Sequence, residues 1–210
     1  QSVLVSVVWG VQFFMAGLAW VWVGGLALLA VVGLIASYIL IPHVADRIDR
    51  FIYPESSDTY QVDLAMDAFR NGGLLGKGPG EGVVKIRLPD AHSDYIFAVA
   101  GEEFGVVICL LIIGIFAVIV IRGIVNLLKE QDMFTVLAVA GLLVQFGIQA
   151  FINIAVNLSI LPSKGMTLPF ISYGGSSMLA LAIGMGMILA LTRRYSQYKS
   201  GQTNLSWGER

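Results

Sequence analysis

Residues 85–97 gather two cations, an imidazole and two carboxylates into one run, Lys85-Ile86-Arg87-Leu88-Pro89-Asp90-Ala91-His92-Ser93-Asp94-Tyr95-Ile96-Phe97, just where the sequence turns apolar. These are groups that move protons and hold anions. Glu102 and Glu103 follow within three helical turns. On one continuous helix Asp94 and Glu102, eight residues apart, share a face, with Glu103 displaced by about 100°. Acids that enter a membrane helix are costly and by default line a cavity or pathway. The plainer alternative is that Asp94 caps the helix N-terminus, where a carboxylate meets unpaired N–H groups. Ser93 or Asp90 serves equally well as a cap, so capping does not require Asp94.

A second polar constellation runs from Leu161 to Ser177: Leu161-Pro162-Ser163-Lys164-Gly165-Met166-Thr167-Leu168-Pro169-Phe170-Ile171-Ser172-Tyr173-Gly174-Gly175-Ser176-Ser177. If it lies on the same membrane face as Asp94, Lys164 and the Ser172-Tyr173 hydroxyls converge on that carboxylate. The structural alternative is a re-entrant turn whose glycines allow close packing and whose hydroxyls satisfy freed backbone groups. A third stretch, Gly72 to Gly82, invites a phosphate-loop reading because exposed N–H groups cradle anions. Its spacing argues otherwise. It lacks the Lys-Ser or Lys-Thr pair of a Walker loop, Glu81 stands where a dinucleotide fingerprint needs its third glycine, and no βαβ context surrounds it. The run is expected to form turns that fold the loop back over the membrane helices.

The elements that must position these groups are membrane helices. Apolar residues make up 57% of the chain and charged ones 13%, with a mean hydropathy of +0.80, against roughly 25% charge in a soluble domain. From Gln1 to Ala45 there is no Asp, Glu, Lys or Arg, about twice the ~20 residues that cross the hydrocarbon core. Two spans are predicted there, near Val3 to Ala16 and Val21 to Ile41, with a turn at Ala16 to Trp20. Ala45 to Asp90 holds six basic and eight acidic residues and no span-length apolar run, so 42–93 is predicted as a loop carrying a short amphipathic helix over Ser57 to Phe69. Phe104 to Ile121, Phe134 to Leu158 and Tyr173 to Leu191 complete the set.

The expected fold is therefore an all-α integral membrane protein with about five transmembrane helices and one long extracytoplasmic loop between the second and third. Its segments are 1–41 (two spans), 42–93 (the loop), 94–192 (three spans with a polar outer connection near 159–172) and 193–210 (a cytoplasmic tail). Five spans put Arg122, Lys129, Arg193, Arg194, Lys199 and Arg210 on one face, cytoplasmic by the positive-inside rule. The net charge of −1 and the lack of an extended basic patch exclude nucleic acid as a partner. Cys109, alone in an apolar run, forms no internal disulfide. Gln1 is followed by apolar sequence without a basic leader or cleavage site, so no signal peptide is expected and the chain reads as a fragment.

On Tyr60-Gln61, Gly76 to Gly82 with Lys85, Leu88 to Ala98, Glu102-Glu103-Phe104-Gly105 and Leu161 to Ser177, the sequence resembles the SEDS family (shape, elongation, division and sporulation). Ala91-His92 and Lys164-Gly165 are more similar to its division branch than to its rod-elongation branch. Asp90, Ser93 and Tyr95 depart mildly from the Glu, Thr and Phe usual in the family. The resemblance covers the whole chain but about the last half of a ten-span family member, so the fragment is expected to be inactive alone.

What the resemblance implies is polymerisation of lipid II into peptidoglycan glycan strands in a bacterial inner membrane, at the division septum. The implied partners are a class B penicillin-binding protein, other division proteins and membrane lipids. Asp94 matches the family's catalytic acid. An acceptor sugar hydroxyl needs a general base, whereas a diphosphate leaving group needs cations more than a proton donor. The carried-over roles are Asp94 as base, Lys85 and Lys164 as diphosphate contacts, His92 and Glu103 as positioning groups, and Ser172 and Tyr173 as substrate contacts. A divalent cation such as Mg2+ or Mn2+ is an alternative to a basic contact, although no metal-ligand spacing is present. A lipid-precursor flippase or a non-catalytic division scaffold are the competing functions.

Overall fold

The computed structural model describes residues 2–17, 20–52, 60–162 and 165–205. Among them all the regular structure is helical: α1 (Ser2–Met15), α2 (Trp20–Leu40), α3 (Pro42–Ile52), α4 (Tyr60–Gly72), a 3-10 turn at Val84–Ile86, α5 (Ile96–Leu127), α6 (Met133–Asn157) and α7 (Gly175–Leu205). Three helices are long and apolar enough to cross a bilayer, Ile96–Leu127, Met133–Asn157 and the Gly175–Arg193 part of α7. This is a multi-pass membrane protein. Apolar α1 and α2 occupy the first two expected spans and meet at the predicted turn, where Gly17 takes a φ of 83°. With 14 residues, α1 reaches only about 21 Å. Its Gln12 donates to the Leu137 carbonyl of α6 (3.4 Å) and lies over Gly141, where a Cβ would collide with the amide.

One boundary differs from expectation, and the segment after the last span is largely helical. Pro42 starts a helix instead of leading into a loop, because at the first helical position its missing N–H is one that needs no intrahelical partner. Val44 and Ala45 then donate to the Ile41 carbonyl (2.9 and 3.2 Å), and α3 occupies part of the predicted loop. At the other end, α7 continues past Arg193 to Leu205, through most of the expected tail. The amphipathic helix predicted over Ser57 to Phe69 is α4, whose buried face is Leu64, Ala65, Ala68 and Gly72; residues 57–59 lie outside the described residues.

That face packs with Leu88, Tyr95, Ala98 and Val156, tying the loop to the start of α5 and the end of α6. Below it Phe97, Cys109, Phe116, Phe146, Ala150 and Leu168 form a second cluster. A third, of Leu127, Val139, Ala140, Leu143 and Ile188, joins α5, α6 and α7 at the far end. Much of the surface of the long helices is exposed Leu, Ile, Val and Phe, as lipid-facing or partner-facing positions require.

The glycine run has a definite structural task. α5 is broken at Gly105 (φ 78°, ψ 179°), which removes the helical bonds from Val106 and Val107 to the carbonyls of Glu102 and Glu103. The run closes all four groups. Lys77 and Gly78 donate to those two carbonyls (3.0 and 2.9 Å), while Val106 and Val107 donate to Gly73 and Leu74 (3.0 and 3.4 Å). Unpaired backbone groups near lipid are costly, so irregular backbone there must be sealed by protein. The seal demands glycine, because a Cβ at Gly72 would lie 2.0 Å from the Gly101 carbonyl oxygen and one at Gly76, 2.1 Å from that of Glu103. The expected fold-back of the glycine turns is thus seen as an insertion into α5.

Candidate active site

The groups of the 85–97 run separate into two clusters. The first is built on Glu102, which is fully buried. Its carboxylate accepts from Asn71 Nδ2 of α4 (2.7 Å) and from the backbone N–H groups of Val83 (2.8 Å), Val84 (2.8 Å) and Lys85 (3.0 Å). Four donors on one carboxylate compensate its desolvation and fix the 3-10 turn that presents Lys85. The Lys85 ammonium then pairs with Glu103 and donates to the Gly80 carbonyl (3.1 Å). Adjacent glutamates thus hold one lysine, Glu102 by its backbone and Glu103 by its side chain.

Asp94 belongs to the second cluster, and its expected placement on a helical face with Glu102 is corrected. It lies in a turn before α5, whose first residue is Ile96. The turn forms because the Asp90 carbonyl accepts from the N–H groups of Ser93 (3.1 Å), Asp94 (3.0 Å) and Tyr95 (3.3 Å), with Asp90 at a φ of 53° that Asp tolerates. No ion pair links Asp94 to Lys85, and no described residue donates to its carboxylate. The side chain is half-buried. Burial, and then the nearby Asp90 charge, raise the Asp94 carboxyl above its ordinary value.

The second polar connection does reach Asp94. A Cβ at Gly165 would stand 3.1 Å from Asp94 Oδ2. Tyr173 N–H donates to the His92 carbonyl (2.9 Å), and the two rings meet edge-on with centroids 5.8 Å apart. His92 and Tyr173 are exposed on the same side of that link. Ser172 differs, being buried with its hydroxyl accepting from Leu168 N–H (2.7 Å), so it closes the turn at 168–172. Lys164, which precedes Gly165, lies outside the described residues, as does Ser163.

Three side chains that the sequence analysis did not single out join these parts. Gln149, Asn153 and Asn157 recur at every fourth position along one face of α6. Gln149 donates to the Thr167 carbonyl (3.1 Å), and Asn153 donates to the carbonyls of Asp94 (2.9 Å) and Met166. Asn157 donates to the Asp94 carbonyl (2.9 Å) and its own helix at Asn153 (2.9 Å). The signal was available as amides at i, i+4 and i+8 within an otherwise apolar span.

A model of the FtsW/RodA/SpoVE cell cycle proteins matches residues 1–197. The chain belongs to this family. Among its relatives, the probable peptidoglycan glycosyltransferase FtsW of Caulobacter vibrioides (strain NA1000 / CB15N) is 50% identical over 194 residues, covering 92% of this chain and 50% of the relative. A protein of the same name in Geobacter metallireducens (strain ATCC 53774 / DSM 7210 / GS-15) is 40% identical over 152 residues, covering 70% and 40%. A solved chain from work on the structural coordination of polymerization and crosslinking by a peptidoglycan synthase complex aligns with a TM-score of 0.68 and 26% identity, over 90% of this chain and 54% of that one. The chain thus spans about half the length of the relatives it matches. These matches agree with the SEDS resemblance and with its division branch.

Among the described residues no group of three or more His, Cys, Asp or Glu is placed to hold a metal ion. Tyr95 buries a hydroxyl with no hydrogen-bond partner among them.

Proposed function

We propose that this chain carries the catalytic half of a peptidoglycan glycosyltransferase that polymerises lipid II during bacterial cell division. The names of its relatives support the reaction class. One observation carries the site: the Asp94 carboxylate is half-buried, free of hydrogen bonds from described residues and shifted toward greater basicity. A carboxylate used as a cap or in an ion pair is a poor base; this one is neither.

In this reading Asp94 takes the proton from the acceptor sugar hydroxyl as that oxygen bonds to the donor's anomeric carbon. The bond from that carbon to the lipid diphosphate breaks, and the diphosphate leaves as an anion. Cations stabilise the leaving group. Lys164, adjacent to Gly165 beside Asp94, is assigned as one contact; Lys85 is assigned as another, exchanging Glu103 for the diphosphate. His92 and Tyr173 form the exposed rim that meets substrate, and Ser172 acts by holding the turn beneath it. Mg2+ or Mn2+ would be held chiefly by the diphosphate itself, since the described residues offer no ready ligand set.

The site is assigned to the outer face of the inner membrane at the septum, with the α7 end in the cytoplasm. The partner is a crosslinking enzyme of the class B penicillin-binding type, by analogy with the matched synthase complex, together with other division proteins and the surrounding lipids. The half-length chain is inactive alone. In a full-length protein bearing this segment, Asp94→Asn is expected to cut polymer formation from labelled lipid II by about 10²- to 10⁴-fold while membrane insertion persists. Full polymerisation by that variant would falsify the base assignment. Lipid translocation without polymer in the parent protein would favour the flippase, and undisturbed division with Asp94→Asn the scaffold.

A further inference from the structure

Helix α5 begins without a cap from its own neighbourhood. Tyr95, its N-cap residue, supplies no side-chain acceptor, and the Ser93 hydroxyl donates to the Asp90 carbonyl instead. The carboxylates of Asp90 and Asp94 take no first-turn N–H. Yet a helix N-terminus leaves N–H groups that attract any nearby carboxylate. Asp94 is one residue from the N-cap position.

The acceptor comes from another helix. Ala98 N–H, in the first turn of α5, donates to Asn157 Oδ1 at 3.0 Å as well as to the Tyr95 carbonyl at 3.0 Å. Asn157 is fully buried in the last turn of α6, and Asn153 is 1% exposed one turn earlier. The two amides also donate to a single acceptor, the Asp94 carbonyl, at 2.9 Å each. One asparagine therefore caps the helix while the pair grips the peptide of the residue that would otherwise do so.

We propose that Asn157, backed by Asn153, is a positioning residue that caps α5 in place of Asp94 and so leaves the Asp94 carboxylate free to act as a base. The assignment rests on the base role proposed above. Without Asn157, the Ala98 N–H keeps only the Tyr95 carbonyl, and the Asp94 side chain turns onto it. Its charged form is then stabilised and its basicity falls. The charge that bears on its titration is that of Asp90, with His92 and Tyr95 the other titratable groups of its own turn; α6 presents only uncharged amides, and the 161–177 connection brings Tyr173 against His92 and carries Lys164 before Gly165.

The test is the pH–rate profile of lipid II polymerisation by the full-length protein. Asn157→Ala is expected to lower the plateau rate about tenfold, with KM little changed, and to move the acid limb down by about half to one pH unit, the size of a carboxylate's interaction with a helix N-terminus. Asn153→Ala keeps the acceptor for Ala98 and is expected to leave the limb in place. A merely structural asparagine would lower the amount of folded enzyme and not move the limb. An unmoved limb in Asn157→Ala, with Asp94→Asn inactive, overturns the capping role and leaves the base role standing. An active Asp94→Asn overturns the base role itself. Asn157→Ser is the second variant, and failure of both to fold counts against positioning as the main task.

Discussion

Gly105 of α5 lies backbone to backbone on Leu74 of the glycine run, so close that a Cβ at Gly105 would stand 2.3 Å from the Leu74 carbonyl oxygen. The contact exists because the helix is interrupted there and the run fills the gap with four hydrogen bonds. Both the spacing and the positive φ exclude a side chain.

Gly105→Ala is therefore expected to cost about 3 kcal/mol or more, from left-handed strain and backbone displacement together. Gly114→Ala, with nothing within 4 Å of its Cβ position and a regular helical backbone, is the control. It is expected to be neutral or slightly stabilising. Thermal unfolding of the detergent-solubilised proteins checks both; equal melting temperatures would sink the insertion account.

Glu102→Gln keeps the shape of the buried side chain but replaces an acceptor oxygen with an N–H donor. One of the four donors that converge on Glu102 then faces another donor. A loss of about 2–3 kcal/mol is expected. The second consequence is local, since the turn carrying Lys85 loses its anchor and proteolysis should cut faster between 79 and 87. An unchanged cleavage rate there argues that the loop is held by other contacts.

Asp90→Asn removes the charge that is the second cause of the raised Asp94 carboxyl, while Asn tolerates the φ of 53°. The acid limb of the pH–rate profile should move to lower pH with the alkaline side unchanged. Burial still acts, so the shift is partial. Stability follows the same linkage with a definite sign. A carboxyl whose folded-state pKa is raised favours the folded chain at low pH, and that contribution is lost as pH rises through the folded value. Asp90→Asn should thus reduce the loss and raise the melting temperature at neutral pH relative to acid pH. A limb that stays in place removes Asp90 from the site's electrostatics.

Much of this architecture was legible in the residues, but unevenly. Apolar runs located the long helices because the bilayer imposes both length and composition. The polar run before Ile96 located the candidate site for the same reason. Register failed at Asp94 and Glu102, since the eight-residue spacing was read on a helix that had not yet begun at Asp94. The three carbonyl-bound N–H groups over Asp90 make a turn there, and no periodicity announces such a turn. The glycine run reads as turns, and turns it forms, although nothing in its local sequence reveals that its partner is the break at Gly105. Pro42 reads as a stop because proline breaks a helix interior, yet at the first helical position its missing N–H needs no partner. The amides of α6 were visible but unread; their donors find acceptors in two segments far away in sequence.

The insertion at Gly105 also bears on the order of assembly. Residues 72–78 leave the ribosome before α5 does, so the strip that will seal the helix break exists before the break is made. As α5 enters the membrane, its open carbonyls and N–H groups can be closed at once by chain already in place. Had the sealing strip followed the helix in sequence, those groups would have waited unpaired near lipid until later synthesis supplied it.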